Sequence, residues 1–199
     1  LVGAGYAGRG FAARIIRRVP GIEIVAIANR TVSEAERAYR EAGVDAPGHA
    51  GSVADVEAAA RRHRPVVTDD PTLLTDAAGI EVIVEATGEV EFGAGVAIRA
   101  IDAGKHLILI NAELDSCLGP LLKTRADAAG VVMTDMAGDQ PAVIMDLMDE
   151  VRLLGFRPIL AGNIKSLLDH KRTPETQKAF AEAHGQRPKM ITSFADGTK

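Results

Sequence analysis

Residues 1–10 read LVGAGYAGRG. Three glycines, Gly3, Gly5 and Gly8, stand between an apolar start and a helix-like stretch from Phe11 to Val19, after which a second apolar run begins at Ile22. Each answers a different steric demand: Gly3 a tight turn, Gly5 a close approach of backbone to a ligand, and Gly8 a close packing of helix against strand. A strand, a glycine turn, a helix and a second strand, in that order, is the context in which this spacing carries meaning.

Working outward, apolar and β-branched runs recur at Ile22 to Ala28, Pro65 to Thr68, Ile80 to Ala86, His106 to Ile110 and Val131 to Thr134. Helical patterns separate them: EAERAYREAG capped by Ser33 and ending at Gly43, SVADVEAAARRH starting on Ser52, and GVAIRAIDAG closing on Gly104. Strands alternating with helices predict an α/β fold, a Rossmann-type doubly wound parallel sheet covered on both faces. The near-continuous apolarity of EVIVEATG and HLILINAE fits strands buried on both sides. After DMAGDQP the pattern changes to a helix-like AVIMDLMDEVRLLG, an apolar RPILAGNIK read as a strand, a helix-like TPETQKAFAEAHG and then KMITSFADGTK, whose last seven residues, SFADGTK, read as a strand and turn. Residues 1–140 are therefore expected to form the nucleotide domain, and 141–199 the beginning of an α+β substrate domain. The absence of Met at position 1 and the unpaired strand signal at the end suggest a chain cut at both ends.

The glycine turn opens a helix whose first amides suit an anionic diphosphate, with Tyr6 and Ala7 on the approach. A nicotinamide coenzyme is the expected ligand. About 20 positions beyond the glycines stands the residue that reads the adenine ribose, where an NAD enzyme places a carboxylate. Here AIANRT supplies Asn29, Arg30 and Thr31 instead. Asn29 does not repel a 2′-phosphate and the Arg30 fork can pair with one, so NADP is expected, with NAD as the alternative.

In open α/β sheets ligands lie beyond the carboxyl ends of the strands. Ala86, Thr87 and Gly88 follow the fourth strand, small enough for the nicotinamide ribose to lie against backbone. Asn111, Glu113 and Asp115 follow the fifth. Gly138, Asp139 and Gln140 follow the sixth, beside the expected domain junction. Lys165, with Asn163 just before it, follows PILAGNI, and a partly desolvated lysine there would exchange a proton as hydride moves. Glu113, Asp115 and Asp139 together offer hard oxygen ligands to a divalent cation, a second and metal-assisted reading. The five histidines show no metal-ligand spacing, and Cys117, the sole cysteine, reads as a small packing residue.

A net charge of −4 with 25% charged residues gives no electrostatic footprint for nucleic acid or an anionic membrane. A small molecule is the expected partner, and a homo-oligomer is open to the chain. One cysteine excludes an internal disulfide and fits the cytoplasm.

The succession of the glycine-rich opening, EATG at 85–88, GKHLILINAE at 104–113, GP at 119–120, MAGDQP at 136–141 and AGNIK at 161–165 resembles the homoserine dehydrogenase-like oxidoreductases. GDQP and TPETQKAFAEAHGQ are similar to a branch whose members carry a later SAF domain and which includes deoxyxylulose-phosphate reductoisomerase-like proteins. The resemblance implies an NAD(P)-dependent enzyme with its substrate between the nucleotide domain and a mixed α/β domain. Gly104, Lys105, His106 and Asn111 match the family pattern, but Ala112 stands where its lysine is expected. That departure argues against homoserine itself. It leaves three readings: hydride transfer on a small polar metabolite, phosphorylated or not, metal-assisted reductoisomerisation of a ketose phosphate, and a nucleotide-sensing domain without chemistry.

Overall fold

The structure, a computed structural model, describes residues 1–136, 140–162, 171–183 and 185–196. The chain divides into two compact units, Leu1–Met136 and Ala137–Lys199.

The first unit alternates helix and strand throughout. In chain order it contains α1 (Tyr6–Arg18), β1 (Ala26–Ala28), α2 (Val32–Ala42), β2 (Gly48–His49), α3 (Val53–Arg62), β3 (Val66–Thr68) and α4 (Thr72–Asp76). Then come β4 (Val82–Glu85), α5 (Val90–Asp102), β5 (His106–Leu109), α6 (Ala112–Ala129) and β6 (Met133–Asp135). All pairings are parallel, in two ladders of order β1-β3-β2 and β4-β5-β6. Val2 bridges to Ala28 on one side and to Glu85 on the other. The Val2 amide donates to the Val84 carbonyl and its own carbonyl accepts from Ala86, both at 2.8 Å, while the Leu1 carbonyl and the Gly3 amide bond Ala28. Leu1 to Gly3 thus forms the central strand of one sheet, and the chain winds first to one side of it and then to the other.

Successive strand residues enter opposite cores, which is why the strands read as unbroken apolar runs. Val2, Ala26, Ala28, Val66, Ile83, Leu107 and Leu109 pack with helical residues such as Val56, Ala97, Ile101, Leu114 and Leu122. Leu1, Ile27, Val67 and Val84 pack on the other face with Ala12, Ala35, Ala38 and Tyr39. This two-sided burial agrees with the doubly wound expectation.

Lys105 is also buried, between the two helical stretches before β4 and β5. Its ammonium donates to the carbonyls of Ala77 at 2.7 Å and Ile80 at 2.6 Å, so it pins the loop between α4 and β4. Burial holds its pKa below the ordinary lysine value, against the opposing charge of Asp76.

The second unit contains α7 (Gln140–Leu153), α8 (Pro174–Ala183) and α9 (Pro188–Asp196). Thr173 and Thr176 cap α8 reciprocally, each hydroxyl accepting from the other's amide. Gln177 and Ala181 of α8 and Ile191 and Thr192 of α9 are buried.

Several local expectations are corrected. Thr31, not Ser33, is the N-cap residue of α2, where the Asn29 side-chain Nδ2 donates to the Thr31 carbonyl. Residues 157–162 are not a strand. Of the stretch SFADGTK, read as a strand and turn, Ser193 to Asp196 lie in α9 and the rest lies outside the described residues. Pro188 at the first position of α9 is set for helical φ, and a short apolar run does not distinguish the two states by period. Edge strand β2, short and exposed, and the five-residue α4 had no periodic signal to announce them.

Candidate functional site

The central strand ends in the glycine turn. Gly3 has φ of 100°, a left-handed value that disfavours any side chain, and a Cβ there would lie 2.7 Å from the Ala86 carbonyl oxygen. A Cβ on Gly8 would lie 2.1 Å from the Gly3 carbonyl oxygen, so α1 sits directly on the strand end. Around a Cβ built on Gly5 there is nothing within 4 Å. That space lies at the start of α1, where Gly5, Tyr6 and Ala7 are exposed and the cap residue gives no side-chain hydrogen bond to the first amides. The turn has the form that a diphosphate needs: tight where it packs, bare and rich in unsatisfied amides where a ligand would lie.

Asn29 fastens this turn to the neighbouring strand. Its Oδ1 accepts the Ala4 amide at 2.9 Å and its Nδ2 donates to the Thr31 carbonyl at 2.8 Å. Arg30 follows it, exposed and with no ion pair among the described residues. Thr31 then caps α2 without a side-chain hydrogen bond to the helix amides. Arg9, which sequence reasoning missed, binds the same corner: Nη1 donates to the Ala4 carbonyl at 3.2 Å and pairs with Glu34 at 3.3 Å, and Nε pairs with Glu41 at 3.4 Å. Its position one residue past Gly8 was the available signal.

Ala86, Thr87 and Gly88 lie at the end of β4, beside the central strand and across the reversal of strand order. Gly88 has φ of 69° and open space about it. Thr87 is held by Glu85, a second residue that the sequence reading passed over. An acid ending the apolar run VIV at 82–84 was the signal for it. Asn111 ends β5 and caps α6: Oδ1 accepts from the Leu114 amide at 3.2 Å and Nδ2 donates to the Glu89 carbonyl at 3.3 Å. It is 2% exposed, so its amide serves the fold of this rim from below. Ala112 opens α6, and Glu113 and Asp115 lie in its first turn.

Gln140 is the first residue of α7. Asp139, Asn163 and Lys165 lie outside the described residues, as does Gly138. Among the described residues no three His, Cys, Asp or Glu side chains stand close enough to hold a metal ion. His49 and His63 pair with Glu36 and Glu23 at the surface, and Cys117 is exposed, correcting its reading as a packing residue. No described helix is long and apolar enough to cross a membrane.

Comparison with known proteins agrees with this geometry. Residues 3–133 match the homoserine dehydrogenase, NAD binding domain family, and residues 138–199 match the family described as oxidoreductase DRL, catalytic domain. A homoserine dehydrogenase from Thiobacillus denitrificans is 23% identical with a TM-score of 0.54, over 76% of this chain and 32% of that one. The myo-inositol dehydrogenase from Lactobacillus casei, solved in complex with NAD(H) and myo-inositol, is 19% identical with a TM-score of 0.58, over 88% of this chain and 48% of that one. At these identities the likeness is one of fold, and the chain spans less than half the length of either protein. No curated protein matches significantly.

Proposed function

The chain belongs to the homoserine dehydrogenase NAD-binding domain family, and from that membership we propose that the protein is an NADP-dependent oxidoreductase acting on the carbonyl or alcohol carbon of a small polar metabolite, phosphorylated or not. The observation that carries the coenzyme reading is the bare, tightly packed glycine turn at the reversal of strand order, with α1 starting directly from it. When bound, the nicotinamide supplies the carbon that gives or takes hydride.

The residues of this chain do the rest. Gly3, Gly5, Tyr6, Ala7 and Gly8 receive the diphosphate on backbone amides. Arg30, unpaired among the described residues, and Thr31 at the uncapped start of α2 receive the 2′-phosphate, and Asn29 holds the turn without placing a carboxylate there. Ala86, Thr87 and Gly88 border the nicotinamide ribose, and Asn111 supports that rim from below. Residues 1–140 serve as the nucleotide domain and 141–199 begin the substrate domain, in which Gln140 and Asn163 contact substrate. Lys165 exchanges the proton, and Glu113 and Asp139 are the other residues assigned to catalysis. The match of residues 138–199 to an oxidoreductase catalytic domain supports that division. The single cysteine supports a cytoplasmic location.

Calorimetric titration of the full-length protein with NADPH and NADH tests the coenzyme reading. Binding of NADPH in preference to NADH is expected, followed by NADPH oxidation with one or more of a panel of phosphorylated and unphosphorylated aldehydes and ketones. No heat with either coenzyme would sink the proposal.

A further inference from the structure

Glu85 is 0% exposed at the end of β4, and the coenzyme reading has so far given it no part. One carboxyl oxygen, Oε1, accepts the Thr87 amide at 2.8 Å and also the Thr87 hydroxyl, whose oxygen in turn accepts the Glu89 amide at 3.3 Å. The other, Oε2, is buried with no hydrogen-bond partner. Placing a carboxyl group in a core with half its acceptors unmet is costly, and a fold keeps such a group only where something offsets the cost.

What the group holds is the peptide that lies on the glycine turn. A Cβ on Gly3 would meet the Ala86 carbonyl oxygen at 2.7 Å and the Thr87 nitrogen at 3.0 Å, and that nitrogen is the donor to Glu85. On its far side the carboxyl group abuts α5 and the end of β5. A Cβ on Gly93 would lie 3.0 Å from Glu85 Oε2 and 3.0 Å from Asn111 Nδ2, so the glycine leaves room for both side chains. Three parts of the rim, the Gly3 turn, the Ala86–Gly88 turn and the Asn111 cap, therefore meet at one buried carboxyl group.

The geometry points to Glu85 as a positioning residue for the nicotinamide half of the coenzyme: it fixes the Ala86–Thr87 peptide against Gly3 and so sets the wall along which that half lies. The inference rests on the coenzyme reading above. Glu85 touches neither coenzyme nor substrate and acts through Thr87. The adenosine half, at Asn29 to Thr31 on the other side of the central strand, is outside its influence.

The test is titration of the full-length protein and three variants, Glu85→Leu, Glu85→Gln and Gly93→Ala, with NADPH and separately with adenosine 2′,5′-bisphosphate. If the wild type prefers NADH, NADH and AMP replace them. Leucine removes the acceptor, glutamine keeps an oxygen for Thr87, and alanine at position 93 leaves the carboxyl group but crowds it. Losing a hydrogen bond to a buried carboxyl group predicts about a tenfold fall in whole-coenzyme affinity for Glu85→Leu, a smaller fall for Gly93→Ala, and a change within about threefold for Glu85→Gln. Binding of the adenosine half stays as in the wild type for all three, which general loosening of the fold would not allow. The inference is overturned if Glu85→Leu binds the whole coenzyme as the wild type does, if Glu85→Gln loses as much as Glu85→Leu, or if the adenosine half is lost in parallel. Should Glu85→Leu fail to fold, Gly93→Ala decides in its place. A wild type that binds neither coenzyme strikes the coenzyme reading instead.

Discussion

Asn29 Oδ1 accepts the Ala4 amide at 2.9 Å, so the residue in the ribose-reading position also anchors the glycine turn. Asn29→Asp keeps that acceptor but gives up the Nδ2 donor to Thr31 and sets a carboxylate where a 2′-phosphate would lie. The ratio of NADPH to NADH affinity should fall at least about tenfold, mostly through loss of NADPH. Arg30→Ala should weaken NADPH by about tenfold and leave NADH unchanged, with a flatter dependence on salt. Calorimetry with both coenzymes at two ionic strengths reads both effects.

Two glycines of α1 separate packing from propensity. Gly8→Ala drives a methyl group to 2.1 Å from the Gly3 carbonyl oxygen, and the strand end must shift to admit it. Urea unfolding should show a loss of about 1–3 kcal/mol together with loss of coenzyme binding. Gly10→Ala, with nothing within 4 Å of the added group, should gain up to about 1 kcal/mol from helix propensity alone.

Lys105 stands in the stretch GKHLILINAE, yet its ammonium is spent on the Ala77 and Ile80 carbonyls. Lys105→Met should cost about 1–3 kcal/mol by leaving those carbonyls unpaired. Its pKa is lowered in the folded protein by burial, so between that value and the ordinary lysine value the unfolded chain holds more protons and stability rises with pH. The methionine variant should lose this alkaline rise, which thermal melts across the range would show.

The acid side depends on Asp76, whose carboxyl is held below its ordinary pKa first by its hydrogen bonds to Arg99. The stabilisation is present above the ordinary aspartate value and is lost as pH falls through the lowered one. Because both side chains are about half exposed, Asp76→Asn should cost no more than about 1 kcal/mol at neutral pH and flatten the acid limb of the melting profile.

The parallel sheet was legible because two-sided burial leaves strands apolar at every position, and Ile83 with Val84 or Leu107 with Ile108 show the alternating destinations of that burial. The glycine turn was legible because its spacing is dictated by steric limits that only glycine meets. The polar work of the site was not. Nothing in sequence periodicity tells that Asn29 faces Ala4, that Arg9 reaches Glu34 and Glu41, or that Glu85 turns back on Thr87, because these depend on how strand ends converge. In the second unit Pro188 was the better guide to SFAD at 193–196 than the short run itself, since a short run carries no reliable period.

Val2 carries the ladder of β4 while its neighbours Leu1 and Gly3 carry that of β1, so a single short strand is the seam between the two halves of the sheet. A ligand gripped by Gly3 grips that seam. Occupancy should therefore register as slower deuterium uptake on both flanks at once, at Ala28 and at Ala86, rather than as protection confined to the residues that touch it.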